Sequence, residues 1–277
     1  TYAAMVDIMD RNIGRLIGEL RERNKLDNTL IIFLSDNGAC AEWDPFGFDD
    51  NPYPKNRLHQ GPMLDQMGSR GTFHSYGTGW ANACNTPFRL YKHYNHEGGI
   101  STPLIMHWPE GLPRSGEIDR RPAHVMDVPA TLLELAKASY PKQHKGKQVL
   151  PLSGRSLMPV FTNRPSPERA LFFEHEGNRA VRQGKWKLVS KAEWWPFVHD
   201  TTGTLPMETW ELYDMDADRT ETNNIAKDHP ERVATMAATW LRWANRVGAL
   251  PRPGPGRDKP KWVSRLQDTH PKPYLKR

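Results

Sequence analysis

The stretch LIIFLSDNG, residues 30–38, joins a short apolar run to four small or polar residues. A continuous apolar run is typical of a strand that lies in a parallel sheet and is buried on both faces. In the preceding residues 3–23, apolar side chains recur at helical spacing between charged ones, which predicts an amphipathic helix that covers a sheet. Helix, short loop and buried strand together predict an α/β fold with a mostly parallel sheet flanked by helices.

Asp36 and Asn37 stand directly after the predicted strand, at the end of an open α/β sheet where ligands usually bind. Their carboxylate and amide oxygens are hard donors that suit Ca²⁺ or Mg²⁺, and Gly38 lets the backbone turn sharply behind them. The alternative is an Asn-Gly turn in which Asp36 bonds only to the local backbone. These residues alone favour the turn.

Lys92 stands five positions before Glu97, which begins the sequence Glu-Gly-Gly. A lysine ammonium is a compact positive charge that suits an anionic oxygen, and the two glycines allow the main chain to approach a neighbour closely. The alternative is a surface lysine before an ordinary glycine turn. The nearby His93 and His96 are of a kind that more often forms structural hydrogen bonds than binds a ligand.

The chain has 277 residues, a net charge of +6 and a pI near 9.3. This charge favours an anionic partner, which can be nucleic acid, an acidic surface or a small sulfated or phosphorylated molecule. Much of the basic excess lies in residues 249–277, which we interpret as a solvated, proline-rich tail without a nucleic-acid-reading motif. No apolar stretch approaches the roughly 20 residues of a membrane-spanning helix, and no signal peptide is visible in the sequence, which we interpret as a processed chain or a fragment.

The pattern changes to short β-type segments between residues 169 and 215, with a turn at Gln183-Gly184. Pro230 then stands at a plausible first position of an amphipathic helix. These features predict a smaller antiparallel sheet followed by a helix.

In their order along the chain, four passages resemble the sulfatase family of the alkaline-phosphatase-like superfamily. They are residues 2–38, 85–109, 124–136 and 211–226. The resemblance runs to about residue 247 and matches the carboxyl-terminal part of such an enzyme. It implies that residues 1–165 are the last part of the catalytic α/β domain and that residues 166–248 form a small α+β subdomain.

The resemblance also implies roles for individual residues. Asp36 and Asn37 correspond to the later pair of ligands to a divalent cation, usually Ca²⁺, with Mg²⁺ as the alternative for this chain. Lys92, in the K-x-x-x-x-E-G-G pattern, corresponds to the sulfate contact, and Glu97 is expected to buttress this turn rather than to react. His175, on the smaller subdomain, is a weaker candidate for contact with the substrate.

Sulfatases use a cysteine in C-x-P-x-R that is converted to formylglycine, whose hydrate attacks sulfur. Proline and arginine stand three and five positions after Cys84, one position too far, and Cys40 fits no better. We therefore expect the nucleophile and the first pair of metal ligands in sequence that precedes Thr1, and a truncated chain that is inactive alone. The two cysteines permit one disulfide.

The resemblance thus predicts hydrolysis of a small-molecule or carbohydrate sulfate ester in the intact enzyme, with no nucleic-acid partner. Relatives are commonly exported, so a periplasmic or extracellular location is expected. Two alternatives stay open: a phosphate or phosphonate ester hydrolase of the same superfamily, and a non-catalytic remnant that binds an anion.

Overall fold

The structure, a computed structural model, describes residues 1–41, 60–113, 116–191 and 209–250. The predicted tail therefore lies outside the described residues except for its first two positions. The chain divides into two compact units. One contains Thr1–Ala3, Asn37–Thr102 and Ala170–Arg277, and the other contains Ala4–Asp36 and Pro103–Arg169.

The described residues contain both helices and strands, which follow one another along the chain. The helices are α1 (Tyr2–Glu22), α2 (Gly77–Asn85), α3 (Glu97–Ile100), α4 (Asp127–Leu135), α5 (Met158–Phe161) and α6 (Pro230–Val247). The strands are β1 (Ile31–Leu34), β2 (Leu104–His107), β3 (Gln143–His144), β4 (Lys147–Gln148), β5 (Ala170–His175), β6 (Asn178–Gln183), β7 (Trp186–Ser190) and β8 (Glu211–Asp214). Short 3₁₀ helices span Gly61–Gln66 and Ala226–Asp228.

The predicted helix and strand at the start of the chain are both present as α1 and β1. However, β1 pairs with β2 in antiparallel orientation, with Ile31 opposite His107 and Leu34 opposite Leu104. Within the described residues all three sheets are antiparallel, so the expected parallel neighbours of β1 are not among them. Phe33 is 38% exposed, and β1 is therefore not buried on both faces here.

The apolar stripe of α1 is exposed to solvent. No residue of this helix is buried, and Met5 and Leu16 are each 63% exposed. Ion pairs from Arg11 to Asp7 and from Arg23 to Glu19 connect successive turns of the helix, an arrangement that stabilises a helix surface modestly. The periodicity of the sequence thus predicts the helix correctly, but the apolar face does not cover a sheet within the described residues.

The predicted small antiparallel sheet is confirmed, and it contains β5, β6, β7 and β8 in that order. The β5–β6 turn has positive φ at both central residues, 54° at Glu176 and 91° at Gly177, as in the type I′ turns that suit the twist of a hairpin. The β6–β7 turn lies at Gly184-Lys185, with φ of 57° at Gly184, beside the predicted position.

The helix α6 packs its apolar stripe on this sheet. The buried side chains of this core are Val181, Leu188, Trp210, Leu212, Val233, Met236, Trp240, Ala244 and Leu250. Trp240 has no exposed surface, and its indole N–H donates to the Phe173 carbonyl at 2.9 Å. Gly248 ends the helix in the left-handed conformation, with φ of 75°, which is the common glycine stop signal.

In the described part of the chain, no helix combines the length and apolarity that are needed to cross a bilayer.

Candidate functional site

Three segments of backbone are hydrogen-bonded to one another around Lys92. The Gly38 amide donates to the Gly99 carbonyl at 2.9 Å, and the Lys92 amide donates to the Ala39 carbonyl at 2.9 Å. The Gly98 amide donates to the Arg89 carbonyl at 2.8 Å. The backbone of Lys92 is therefore fixed beside the segment that follows β1.

The glycines of these segments pack backbone against backbone. A Cβ atom added to Gly38 would lie 1.8 Å from the Gly98 carbonyl oxygen, and one added to Gly98 would lie 2.0 Å from the Leu90 carbonyl oxygen. Real Cβ atoms do not approach so closely, so no side chain fits at either position without moving the main chain. The close main-chain approach that the sequence suggested for the two glycines is present.

Asn85 adds side-chain hydrogen bonds to the same region. Its Oδ1 accepts from the Ala39 amide at 3.0 Å, and its Nδ2 donates to the Leu90 carbonyl at 3.0 Å. Because one amide side chain satisfies a backbone donor and a backbone acceptor, it connects the two segments that carry Ala39 and Lys92.

Glu97 lies at the centre of a buried ionic network. Lys187 Nζ lies 2.9 Å from Glu97 Oε1 and 2.7 Å from Glu221 Oε1, and the Glu97 amide donates to Glu221 Oε2 at 2.7 Å. Arg219 contributes a further contact to Glu97 Oε2 at 3.2 Å. Burial alone would raise the pKa of Glu97, but the charge and hydrogen bond of Lys187 lower it to about 2. Glu97 thus stays ionised and supports the turn, as the sequence predicted.

A second ionic group surrounds Glu211. Its Oε2 accepts from Arg89 at 2.7 Å and from the Tyr213 hydroxyl at 2.5 Å, and it lies 3.1 Å from His96 Nε2. Burial would raise the pKa of Glu211, but the hydrogen bonds from His96 and Tyr213, with the charge of Arg89, lower it to about 2. His96 has no exposed surface and is the structural histidine that the sequence predicted.

A cleft of about 410 Å³ opens beside this second group. It is lined by Arg89, Glu211, Tyr213, Glu221, Thr222 and Asn224. Lys92 is not one of these lining residues. The cleft therefore adjoins the groups that support the turn rather than the lysine itself.

His93, His175 and Glu176 bring three polar atoms together near Lys92. His93 Nδ1 lies 3.0 Å from Glu176 Oε2 and 3.4 Å from His175 Nε2, and the latter two atoms are 3.6 Å apart. Burial lowers the pKa of His175, and Glu176 opposes this effect. The neighbouring His93 and Lys92 lower the pKa of His175 further.

The family of the protein follows from comparison with known sequences. The model of the family Sulfatase matches residues 1–138, and the model of the family N-sulphoglucosamine sulphohydrolase, C-terminal, matches residues 88–241. The chain belongs to the sulfatase family. The second match alone covers more than half of this sulfatase chain, and both matches include Lys92 and the Glu97 turn.

Individual sulfatases match over much of the chain. An uncharacterized sulfatase of Schizosaccharomyces pombe is 32% identical over 270 residues, which are 91% of this chain and 44% of that protein. The arylsulfatase of Klebsiella aerogenes is 37% identical over 170 residues, which are 61% of this chain and 36% of that protein. The chain thus spans less than half the length of these two sulfatases.

Solved structures support the same fold. The crystal structure of Ps i-CgsB matches with a TM-score of 0.62 and 22% identity, covering 98% of this chain and 48% of that chain. A second structure of that protein, in complex with k-i-k-neocarrahexaose, matches equally well. At this identity the likeness shows a shared fold alone.

Four further residues that the sequence singled out are the proposed metal ligands and the two cysteines. Asp36 is exposed and Asn37 is half-buried, and the division between the two compact units falls between them. Cys40 and Cys84 are not joined by a disulfide bond, and Cys84 is exposed. The disulfide that the sequence permitted is therefore not formed.

Sequence reasoning missed Lys187 and Glu221, the partners of Glu97. A weak signal for Lys187 was present, because it shares one face of the predicted strand with the apolar Val189. Its partner stands 90 residues away, and a single sequence carries no sign of which acidic residue that is.

Proposed function

We propose that the enzyme that contains this chain hydrolyses sulfuric esters, with a small-molecule or carbohydrate sulfate as its substrate. Family membership supports the reaction class. The observation that carries the proposal is the set of backbone hydrogen bonds that fixes Lys92 beside the segment following β1. These hydrogen bonds hold the K-x-x-x-x-E-G-G motif next to the residues at the end of the strand.

In this proposal Lys92 binds a sulfate oxygen near the bond that breaks. Its ammonium offsets negative charge that builds on the leaving oxygen, and a fixed charge contributes most when it needs no reorganisation during the reaction. The buried Glu97–Lys187 ion pair of 2.9 Å keeps the adjacent turn in place. His175, whose side chain is 49% exposed, is proposed to face the alcohol or phenol portion of the ester.

Asp36 and Asn37 are proposed to hold the divalent cation, Ca²⁺ or Mg²⁺. The two residues suit such a cation in part, because both side chains offer hard oxygen donors. The hydrogen bond and close packing of Gly38 immobilise the backbone that follows them. Calcium takes six to eight oxygen ligands, so other residues of the enzyme must complete the set. When bound, the cation supplies positive charge toward the sulfate oxygens.

Formylglycine does not fit either cysteine of this chain. Neither Cys40 nor Cys84 stands in C-x-P-x-R, so the attack on sulfur does not come from these residues. We propose that the nucleophile belongs to the part of the enzyme that this chain does not cover, and that the 277-residue chain alone does not hydrolyse aryl sulfates.

The complete catalytic domain is proposed to contain a mostly parallel sheet that includes β1. The exposed apolar stripe of α1 supports this proposal, because a helix face of this kind normally packs on a sheet. We further propose a periplasmic or extracellular location, as for many relatives.

Lys92→Ala in the complete enzyme tests the proposed reaction. Loss of one preorganised donor typically lowers kcat by about 100-fold to 1,000-fold, and the loss should be greatest for esters with poor leaving groups. Lys227→Ala, which removes an exposed lysine, is the matched control. Melting curves of both variants should equal that of the wild type.

Two outcomes would overturn the assignment. A Lys92→Ala enzyme with near-normal kcat on every sulfate ester would remove Lys92 from the site. If the wild-type enzyme hydrolyses phosphate monoesters or phosphonates in preference to sulfates, the proposed substrate class is wrong.

A further inference from the structure

The cluster of His93, His175 and Glu176 has the spacing of ligands around a single small metal ion. A zinc ion bound to nitrogen and oxygen ligands at about 2.0–2.2 Å places neighbouring ligands of a tetrahedron roughly 3.3–3.5 Å apart. The three atom pairs of this cluster are separated by 3.0, 3.4 and 3.6 Å. The three atoms therefore occupy, within a few tenths of an ångström, three corners of a zinc-sized tetrahedron.

The local backbone presents these atoms from two directions. Glu176 and His175 belong to the tight β5–β6 turn, in which the His175 carbonyl accepts from Asn178 Nδ2 at 3.1 Å and the Gly177 amide donates to Glu174 Oε1 at 3.1 Å. His93 comes from the segment fixed through Lys92. The ligands thus stand on hydrogen-bonded elements, which reduces the entropy lost when an ion binds.

The chemistry of the donors selects a class of ion. Two imidazole nitrogens and one carboxylate oxygen suit zinc and related transition metals, whereas Ca²⁺ and Mg²⁺ prefer oxygen ligands alone. Two histidines and one glutamate are a known zinc ligand set that leaves the fourth position open. The side chain of His175 is 49% exposed, so an ion can enter from solvent.

We propose that His93 Nδ1, His175 Nε2 and Glu176 Oε2 form a binding site for a zinc-class transition metal, separate from the hard-oxygen pair Asp36 and Asn37. The fourth position is open to water or to an anionic ligand. In the metal-free protein the hydrogen bond between His93 and Glu176 holds two of the ligands in place. The site does not depend on the proposed sulfatase reaction.

The test is titration of the tag-free complete enzyme with Zn²⁺ alone, by calorimetry, in the presence of saturating Ca²⁺. One Zn²⁺ should bind per chain. Loss of a residue that only hydrogen-bonds to a metal ligand lowers metal affinity by about 10-fold to 100-fold. His175→Ala and Glu176→Gln each remove a direct ligand, so each should weaken Zn²⁺ binding by about 100-fold or more. Co²⁺ in place of zinc should give the intense visible absorption of tetrahedral coordination.

His144→Ala is the matched control because His144 is an exposed histidine in the β3–β4 hairpin of the other unit. This variant and Asp36→Ala should bind Zn²⁺ like the wild type, and circular dichroism should show that all variants fold. Absence of Zn²⁺ binding, equal affinity in wild type, His175→Ala and Glu176→Gln, or an octahedral Co²⁺ spectrum would overturn the proposal. Because these measurements need no turnover, they give their answer even if the sulfatase proposal fails.

Discussion

The small sheet with α6 and the region of α1, β1 and β2 both contain apolar side chains at regular spacing, but the two regions bury these side chains differently. In the first region Leu188 and Trp240 have no exposed surface. In the second region Leu16 of α1 is 63% exposed and Ile105 of β2 is 58% exposed. An apolar pattern therefore predicts a face that needs a partner, but it does not say where the partner comes from.

We propose a topological cause for the difference. Strands β5 to β8 pair in sequence order and α6 follows them directly, so contacts between near neighbours in the chain complete that core. A helix that covers a parallel sheet depends instead on strands joined by long crossovers.

Trp240→Ala should be the most damaging change in the small sheet. Truncation of a buried tryptophan typically costs about 3–5 kcal/mol of unfolding free energy, and here the Phe173 carbonyl also loses the hydrogen bond from the indole. We expect a value at the upper end of this range, measured by urea denaturation. A cost below about 1 kcal/mol would show that this core is not the stable part of the chain.

Lys187→Met should be nearly as costly, because it leaves the carboxylates of Glu97 and Glu221 buried without their shared cation. Removal of one partner from a buried ion pair typically costs about 3–5 kcal/mol. Lys185→Met is the matched control: Lys185 pairs with Asp214 at 2.6 Å, but its side chain is 47% exposed. The control should unfold like the wild type, and equal losses in both variants would contradict the assigned burial.

Acid should weaken the small sheet through Glu97 and Glu211. Both carboxyl groups have a pKa lowered from 4.5 to about 2. Their contribution to stability is therefore fully present above pH 4.5 and is lost as the pH falls toward 2. Urea denaturation at a series of pH values should show this decline in unfolding free energy. The decline should be shallower in Lys187→Met, because the pKa of Glu97 is less depressed without Lys187. Equal pH dependence of the unfolding free energy in the wild type and in Lys187→Met would contradict the effect of Lys187 on the pKa of Glu97.

Leu16→Ser should have the smallest effect in the 277-residue chain. A substitution of an exposed side chain usually changes the unfolding free energy by no more than about 0.5 kcal/mol. In the complete enzyme, where we propose that the α1 stripe packs on a larger sheet, the same change should cost about 2 kcal/mol or more. Thermal melting of both forms measures the difference, and the absence of any difference would contradict the proposed packing.

Sequence patterns predicted the elements better than their contacts. Helical periodicity and the apolar run identified α1 and β1, and the turn residues identified the small sheet, because these signals are local. The antiparallel pairing of β1 with β2 and the exposure of Leu16 depend on which segments meet in space. The β1–β2 partners are separated by about seventy residues, and no pattern within either strand specifies the other.

The same limit applies to the candidate site. Lys92 and the Glu97 turn were predicted as site residues because a short motif places them at a fixed spacing. The pairing of His93 with Glu176 spans 83 residues, and each residue alone has an ordinary structural interpretation. Chemistry that depends on distant segments becomes visible only when the fold brings their atoms together.

The hydrogen bond from the Lys92 amide to the Ala39 carbonyl also closes a long stretch of chain on itself. The entropic cost of such a closure grows only with the logarithm of loop length, by about 0.6 kcal/mol for each doubling. Insertions and deletions in this stretch that spare Asn85 and the residues after it should therefore change stability little while both ends stay in place.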